Sequence, residues 1–178
     1  MRYIQYNRFY TEAVVYTSNT GSTEHYAKLL GDELRMPVYS EEEAKKYLYT
    51  GAEIIYLGWI MAGKIQGLGL AMKKYKICAV CAVGMGQTGT QRKEIREKNS
   101  IPGKIPVFTL QGNFNVEKLH GMYKMMMSIM VKTAGKALEK KTDRTPEEED
   151  MLDMMLHGGE RVRIQNLQGV ISWYNGKR

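Results

Sequence analysis

Cysteine is scarce in this chain of 178 residues: only Cys78 and Cys81 are present. Their Cys-x-x-Cys spacing is that of a thioredoxin-like pair or of half a metal site. They stand, however, in Ile77-Cys78-Ala79-Val80-Cys81-Ala82-Val83, an unbroken small and apolar run that reads as a buried strand. Residues three apart on a strand point to opposite faces, and a redox pair sits at a helix start instead. Both thiols are therefore expected to be inert core groups. Long apolar runs are missing too, and none approaches the roughly 18 residues a membrane span needs. The opening stretch MRYIQYNRFYTE lacks the apolar segment and small-residue cleavage site of a secretory signal, so a cytoplasmic location is expected. There is no internal repeat and no low-complexity tract. His25, His120 and His157 pair with no obvious carboxylate and are expected at the surface. No residue stands out as a catalytic acid or base, and no metal-ligand set is visible.

What is present describes an ordinary globular domain. The chain is 43% hydrophobic and 25% charged, and its length suffices for a real core. One domain over residues 1–178 is expected, with residues 1–12 as an N-terminal extension. The net charge of +7 suits an anionic membrane or an acidic partner, or is simply a solvated surface. No nucleic-acid partner is expected.

Apolar runs alternate with helical stretches, the pattern of βαβ units on a parallel sheet. Strands are expected at Ala13–Tyr16, Pro37–Tyr39, Glu53–Gly58, Lys76–Val83 and Ile105–Gln111. Helices are expected at Thr23–Leu34, Leu68–Lys74 and Gln91–Lys98. Ser40 and Glu43 form a capping-box pattern. After the fifth strand, Asn113–Gly158 carries no strand signal. Its apolar residues Leu119, Met122, Met126, Ile129 and Met130 fall at helical spacing, and Thr145-Pro146-Glu147-Glu148 opens a further helix. The stretch reads as a two-helix insertion. Leu167, Val170, Ile171 and Tyr174 then mark a final amphipathic helix.

The most informative segment runs from Val14 to Ala27. A strand ends, Ser18-Asn19-Thr20-Gly21-Ser22-Thr23 follows, and a helix begins. Such a loop aims backbone N–H groups and hydroxyls at an anion, which the helix dipole favours. It holds no Lys or Arg, so a phosphate would be held by neutral donors, as suits a phosphomonoester. Apolar pair, aromatic, then Ser, Gly, Thr and Ala at these offsets resemble the flavin mononucleotide (FMN) signature of the flavodoxin superfamily. The resemblance implies a three-layer α/β sandwich with a five-stranded parallel sheet in the order 2-1-3-4-5, and FMN as cofactor. Lys28 departs from the aliphatic residue usual there.

In that family two loops sandwich the flavin ring. Here they correspond to Gly58-Trp59-Ile60-Met61-Ala62-Gly63 after the third strand and Gly84-Met85-Gly86-Gln87-Thr88-Gly89 after the fourth. The implied cofactor contacts are Ser18 to Thr23, Trp59, Ile60, Met61, Ala62, Gly63, Gly84, Met85, Gly86, Gln87 and Thr88. The second loop lacks the Tyr usual in flavodoxins. Gly84–Gly89 also spells G-x-G-x-x-G, but a dinucleotide site wants that motif after the first strand with an acid about 20 residues on. Gly58-x-x-x-x-Gly63-Lys64 approximates a phosphate-binding P-loop, yet Ile65 replaces the Ser or Thr that holds magnesium.

Gln111-Gly112-Asn113-Phe114, the Met-rich Lys118–Lys132 segment and Thr145-Pro146-Glu147-Glu148 resemble a subgroup that includes the menaquinone-dependent protoporphyrinogen oxidases. That resemblance implies a helical insertion between the fifth strand and the last helix, shaping the substrate side or the approach to membrane quinone. From Val116 to Lys141 there are six Lys against two Glu. The methionine face is expected to pack on the domain, while an exposed part would suit peripheral membrane contact. The function expected is an FMN-dependent oxidoreductase acting on a small organic or quinone-type partner, protoporphyrinogen among them. The alternatives are an electron carrier between proteins and a non-redox interaction module with a degenerate site.

Overall fold

The computed structural model describes residues 10–114, 118–119 and 121–177, and of Tyr123 the backbone only. Among the described residues six strands and seven α-helices follow in order: β1 Ala13–Thr17, α1 Ser22–Leu34, β2 Val38–Ser40, α2 Glu41–Tyr47, β3 Glu53–Met61, β4 Lys64–Ile65, α3 Leu68–Lys74, β5 Lys76–Gly84, α4 Arg92–Lys98, β6 Val107–Gln111, α5 Gly121–Lys140, α6 Pro146–His157 and α7 Gln168–Asn175. Residues 1–9 of the expected N-terminal extension lie outside the described residues. Glu12 leads into β1, its N–H donating to the Glu53 carbonyl at 2.7 Å.

Five strands form a parallel sheet in the order β2-β1-β3-β5-β6, with two-residue β4 folded back antiparallel on the end of β3. Apart from β4 this is the flavodoxin-like order 2-1-3-4-5. The fold is a three-layer α/β sandwich. One core lies between the sheet and α2, α3 and α4, where Ala44, Leu68, Ala71 and Ile95 meet Val15, Ile54, Tyr56, Val80 and Ala82. The other lies under α1 and α7, where Tyr26, Ala27, Leu30, Val170, Ile171 and Tyr174 meet Val14, Ile55, Leu57, Ala79 and Cys81. Central strands covered on both faces read as continuous apolar runs, which is why β3 and β5 carry so little polarity. Each fully buried Leu, Ile or Val contributes about 1.5–3 kcal/mol.

The pleat slips once, between Ile54 and Ile55 opposite Ile77 and Ala79, so Cys78 is the extra residue of a bulge. Cys81 is wholly buried in the α1/α7 core, whereas Cys78 lies at the sheet end with its Sγ 3.8 Å from Glu53. Burial pushes both thiols up, leaving them protonated and inert.

Helix starts follow their local chemistry. Ser40 and Glu43 close the capping box of α2, and Thr145 and Glu148 close that of α6 around Pro146. The insertion is a helical pair, α5 and α6, hung from a pinned neck. Asn113 Oδ1 accepts from the N–H of Val162 at 3.0 Å and also from that of Arg161. Phe114 pairs with Gly159 across the same neck. Tyr26 ties this neck to α1: its hydroxyl donates to the Gln111 carbonyl at 2.6 Å and accepts from Asn166 Nδ2 at 2.6 Å. Among the described residues no helix is long and apolar enough to cross a membrane.

Candidate functional site

The sheet order reverses direction between β1 and β3, and in open α/β sheets ligands bind outside the carboxyl ends of the strands at that point. Four connections converge there: the Ser18–Gly21 loop after β1, the turn after β3, the Gly84–Thr90 loop after β5 and the insertion after β6. Between them lies a cavity of about 300 Å³, at the lower end of the range of small-molecule sites.

Ser18–Gly21 turns directly into α1. Gly21 stands at the N-cap with φ of 99°, where a side chain would be strained, and no side chain caps the helix. A Cβ at Gly21 would meet nothing within 4 Å, so the space before the helix is open. The first-turn N–H groups of α1 are orphan donors facing that space. Asn19, Thr20, Ser22 and Thr23 line the cavity. The Ser22 hydroxyl already accepts from the Asn113 N–H at 3.0 Å. Ser18 Oγ is fully buried and has no hydrogen-bond partner. Among the described residues two further buried hydroxyls, of Thr11 and Tyr75, are unpaired; they lie beside the opposite, amino-terminal ends of β1 and β5. An orphaned buried hydroxyl costs about 1–3 kcal/mol; Ser18 and Gly21 belong to the loop ahead of α1 but do not line the cavity. Neutral donors without Lys or Arg fit the phosphate of FMN.

The turn after β3 corrects an expectation. Gly58–Gly63 is not an open loop: Gly58, Trp59, Ile60 and Met61 continue β3, and Ala62-Gly63 makes a tight hairpin into β4. Both turn residues have positive φ, 50° and 79°, as a type I′ hairpin requires. Ala62 carries a cost of about 1–2 kcal/mol there. Asn99, beyond the end of α4, offsets it. Its Oδ1 accepts from the Ile65 N–H and its Nδ2 donates to the Gly63 carbonyl, each at 2.8 Å. The segment Trp59–Gly63 therefore reaches the cavity wall as a rigid two-stranded edge.

Gly84, Met85, Gly86 and Gln87 also line the cavity, whereas Thr88 does not. Thr88 points behind the loop, where its Oγ1 accepts from the Gln111 N–H at 3.0 Å. The loop is fastened to β6 by the Gly89 N–H donating to the Thr109 carbonyl and by the Thr109 hydroxyl donating to the Thr90 carbonyl, at 3.0 and 2.7 Å. Gly112 lets β6 pass close to α1, since a Cβ there would meet Val83 Cγ1 at 2.9 Å and Ser22 Cβ at 3.3 Å.

The remaining wall was not among the expected contacts. Phe114, Leu119, Met127 and Met130, with Met151 of α6, close the cavity on the insertion side. Met127 and Met130 are one helical turn apart, and that spacing in the methionine run is the sequence signal for them. The methionine-rich helix is thus two-sided. Its opposite face presents Met122, Met125, Met126 and Ile129 to solvent at 67, 61, 43 and 56% exposure, so only part of it packs on the domain.

At the carboxyl end of β1, outside the cavity lining, the Thr17 hydroxyl donates to Glu41 Oε2 at 3.1 Å and the Tyr56 hydroxyl donates to the Gln66 carbonyl at 2.8 Å. Burial raises the Tyr56 phenol well above its ordinary value. This network braces the ends of β1 and β3 and leaves no free acid or base. His25 and His157 are exposed as expected, but His157 does have a carboxylate partner, its Nδ1 lying 3.0 Å from Asp153 Oδ1 one turn away. His120 lies outside the described residues. Among the described residues no group of His, Cys, Asp and Glu is arranged to hold a metal ion.

Fold and site together define a flavodoxin-like α/β architecture with a ligand crevice at the strand carboxyl ends. No protein-family model, curated protein or solved structure matches the chain.

Proposed function

We propose that the chain is an FMN-dependent oxidoreductase acting on a small organic or quinone-type partner. Ser18, Asn19, Thr20, Gly21, Ser22 and Thr23 would hold the phosphate, and the cavity between the Trp59–Gly63 hairpin and the Gly84–Gln87 loop would receive the flavin ring. The observation that carries this is the uncapped N-terminus of α1, where Asn19, Thr20, Ser22 and Thr23 line the cavity and Ser18 Oγ of the same loop is buried and unpartnered. FMN supplies one- and two-electron transfer when bound. The chain's own residues bind, orient and shield. Hydroxyls and first-turn N–H groups of α1 would hold the anion, the Asn99-clamped hairpin would form one wall beside the ring, and Phe114, Met127, Met130 and Met151 would exclude water. That apolar wall favours a small-molecule partner over a protein-to-protein carrier, which needs an open cofactor edge.

The decisive experiment is an absorbance titration of the full chain with FMN. Thr20→Ala with Thr23→Ala should weaken binding tenfold or more, about 1.4 kcal/mol. Unchanged affinity in that double variant refutes the phosphate site. Reduction trials with protoporphyrinogen, quinols and a reduced ferredoxin then separate the partner classes.

The outer face of α5 is proposed as a peripheral membrane contact. Its exposed Met122, Met125, Met126 and Ile129 are joined on the helix by Lys124, Lys132, Lys136 and Lys140 against the single acid Glu139, the composition of an interfacial helix on anionic lipid. Replacing the four apolar residues with Gln should abolish co-sedimentation with phosphatidylglycerol vesicles. Equal sedimentation of variant and parent rules the contact out.

A further inference from the structure

A second cleft, of about 320 Å³, lies behind the Gln87–Thr88 turn, between the end of β6, α6 and the chain returning from α6. Every residue lining it is polar, in contrast to the main cavity. Gln87 lines both, so the two spaces are one side chain apart.

The hydrogen-bonding groups of this cleft divide unevenly. The one carboxylate is committed: Asp150 Oδ1 accepts from Arg161 Nη2 at 3.4 Å, and Asp150 Oδ2 accepts from Gln111 Nε2. Asn166 spends its amide protons on the Tyr26 hydroxyl and the Arg161 carbonyl. Thr88 Oγ1 accepts from the Gln111 N–H, and its own proton remains unused. Arg161 is steadied by Asp153 as well, at 3.1 Å, so its remaining N–H groups are held in place. Among the described residues the Arg163 guanidinium has no hydrogen-bond or ion-pair partner, and neither has the Gln87 carboxamide. What stays available is mainly donors: two guanidinium groups, a hydroxyl and an amide. Among the lining residues Asp150 balances Arg161 and Arg163 adds one positive charge, while Asp153, outside the lining, shares Arg161.

A donor-rich, partly shielded cleft with an unpaired guanidinium is complementary to an oxyanion, which a planar guanidinium binds through two parallel hydrogen bonds. We infer that this cleft is a subsite for a carboxylate or phosphate group, on a ligand whose apolar body passes Gln87 into the methionine-lined cavity. Arg163 and Thr88 are its specificity-determining residues. The assignment goes beyond the flavin site; because the ligand's body and a flavin ring would occupy the same cavity, the subsite is probed on the flavin-free chain.

The test uses the full chain, labelled with ¹⁵N, and three probes: 4-phenylbutyrate, phenyl phosphate and the uncharged 4-phenylbutan-1-ol. At least one anionic probe should bind tenfold or more tightly than the alcohol and shift the Gln87 side-chain amide. Which anion is preferred identifies the group as carboxylate or phosphate. Arg163→Gln, a change at an exposed position, should remove that preference while leaving the FMN titration unaltered. Equal binding of acids and alcohol overturns the proposal, as does a preference that survives Arg163→Gln. Because the probes need no flavin, failure to bind FMN would sink the cofactor assignment and leave this result standing.

Discussion

Ser18→Ala should act in opposite directions on stability and on binding. In the ligand-free chain Ser18 Oγ is buried without a partner, so deleting it removes an uncompensated desolvation cost. Taking the low end of the range for such groups, the gain is about 1 kcal/mol. For a chain of this length that raises Tm by about 2–4 °C. With FMN bound the same hydroxyl would donate to a charged phosphate oxygen, an interaction of about 1.5–3 kcal/mol. Its loss raises the dissociation constant about 10- to 150-fold. Calorimetric unfolding without ligand measures the first effect, and a flavin fluorescence titration measures the second. An ordinary capping serine behaves otherwise, since its removal costs about 1 kcal/mol. A lowered Tm together with unchanged FMN affinity would therefore show that the loop is a plain helix start and refute the reasoning.

Two further outcomes follow from the insertion. The neck brings Phe114 and Gly159 into pairing, so removing about residues 116–158 and closing the gap with a short linker should leave a folded chain. It should bind FMN within a few-fold of the parent by titration but lose turnover. Loss of folding would instead mean that Leu152, Met154 and Met155, all buried, are indispensable to the core. The second outcome concerns acid. Glu148 accepts from Lys141 Nζ at 2.8 Å and from the Thr145 N–H at 2.9 Å, and these bonds, that from Lys141 foremost, hold its carboxyl below the ordinary 4.5. A depressed carboxylate stabilises the fold fully above its ordinary value, and that contribution is lost as pH falls through the folded-state value. The start of α6 should thus stay capped until below pH 4.5. Amide shifts of Thr145 and Glu148 followed by NMR give the midpoint, and one at or above 4.5 contradicts the pairing.

Much of the architecture was legible in the chain because it rests on short-range physics. Strand–helix alternation, the Ser40 and Thr145 capping boxes, the buried face of α1 and the closing amphipathic helix each follow from spacing and local hydrogen bonding. The loop at Ser18–Thr23 was legible for the same reason, since a strand, a Gly-containing hydroxyl loop and a helix start are contiguous. The hairpin after β3 was not. Gly58–Gly63 has the composition of a loop; Gly58 and Trp59 are held as strand by β1 and β5, and the turn is clamped by Asn99, 34 residues downstream of Ile65, which no local pattern reveals. Thr88 turns away from the cavity for a similar reason: a G-x-G-x-x-G string does not say which way a threonine points once β6 offers its N–H. His157, by contrast, pairs with Asp153 one helical turn away, a spacing the sequence does display.

By itself, then, the sequence determined the layers, the five parallel strands, the hydroxyl-rich loop ahead of α1 and the existence of a methionine-rich insertion, all consequences of periodicity and adjacency. Only the tertiary structure decided which methionines face the cavity and which face water. It alone left Ser18 without a partner, and it alone set Arg161 and Arg163 beside Gln87. Those outcomes depend on elements far apart in the chain meeting at the carboxyl ends of the sheet, where packing and hydrogen-bond satisfaction are settled together.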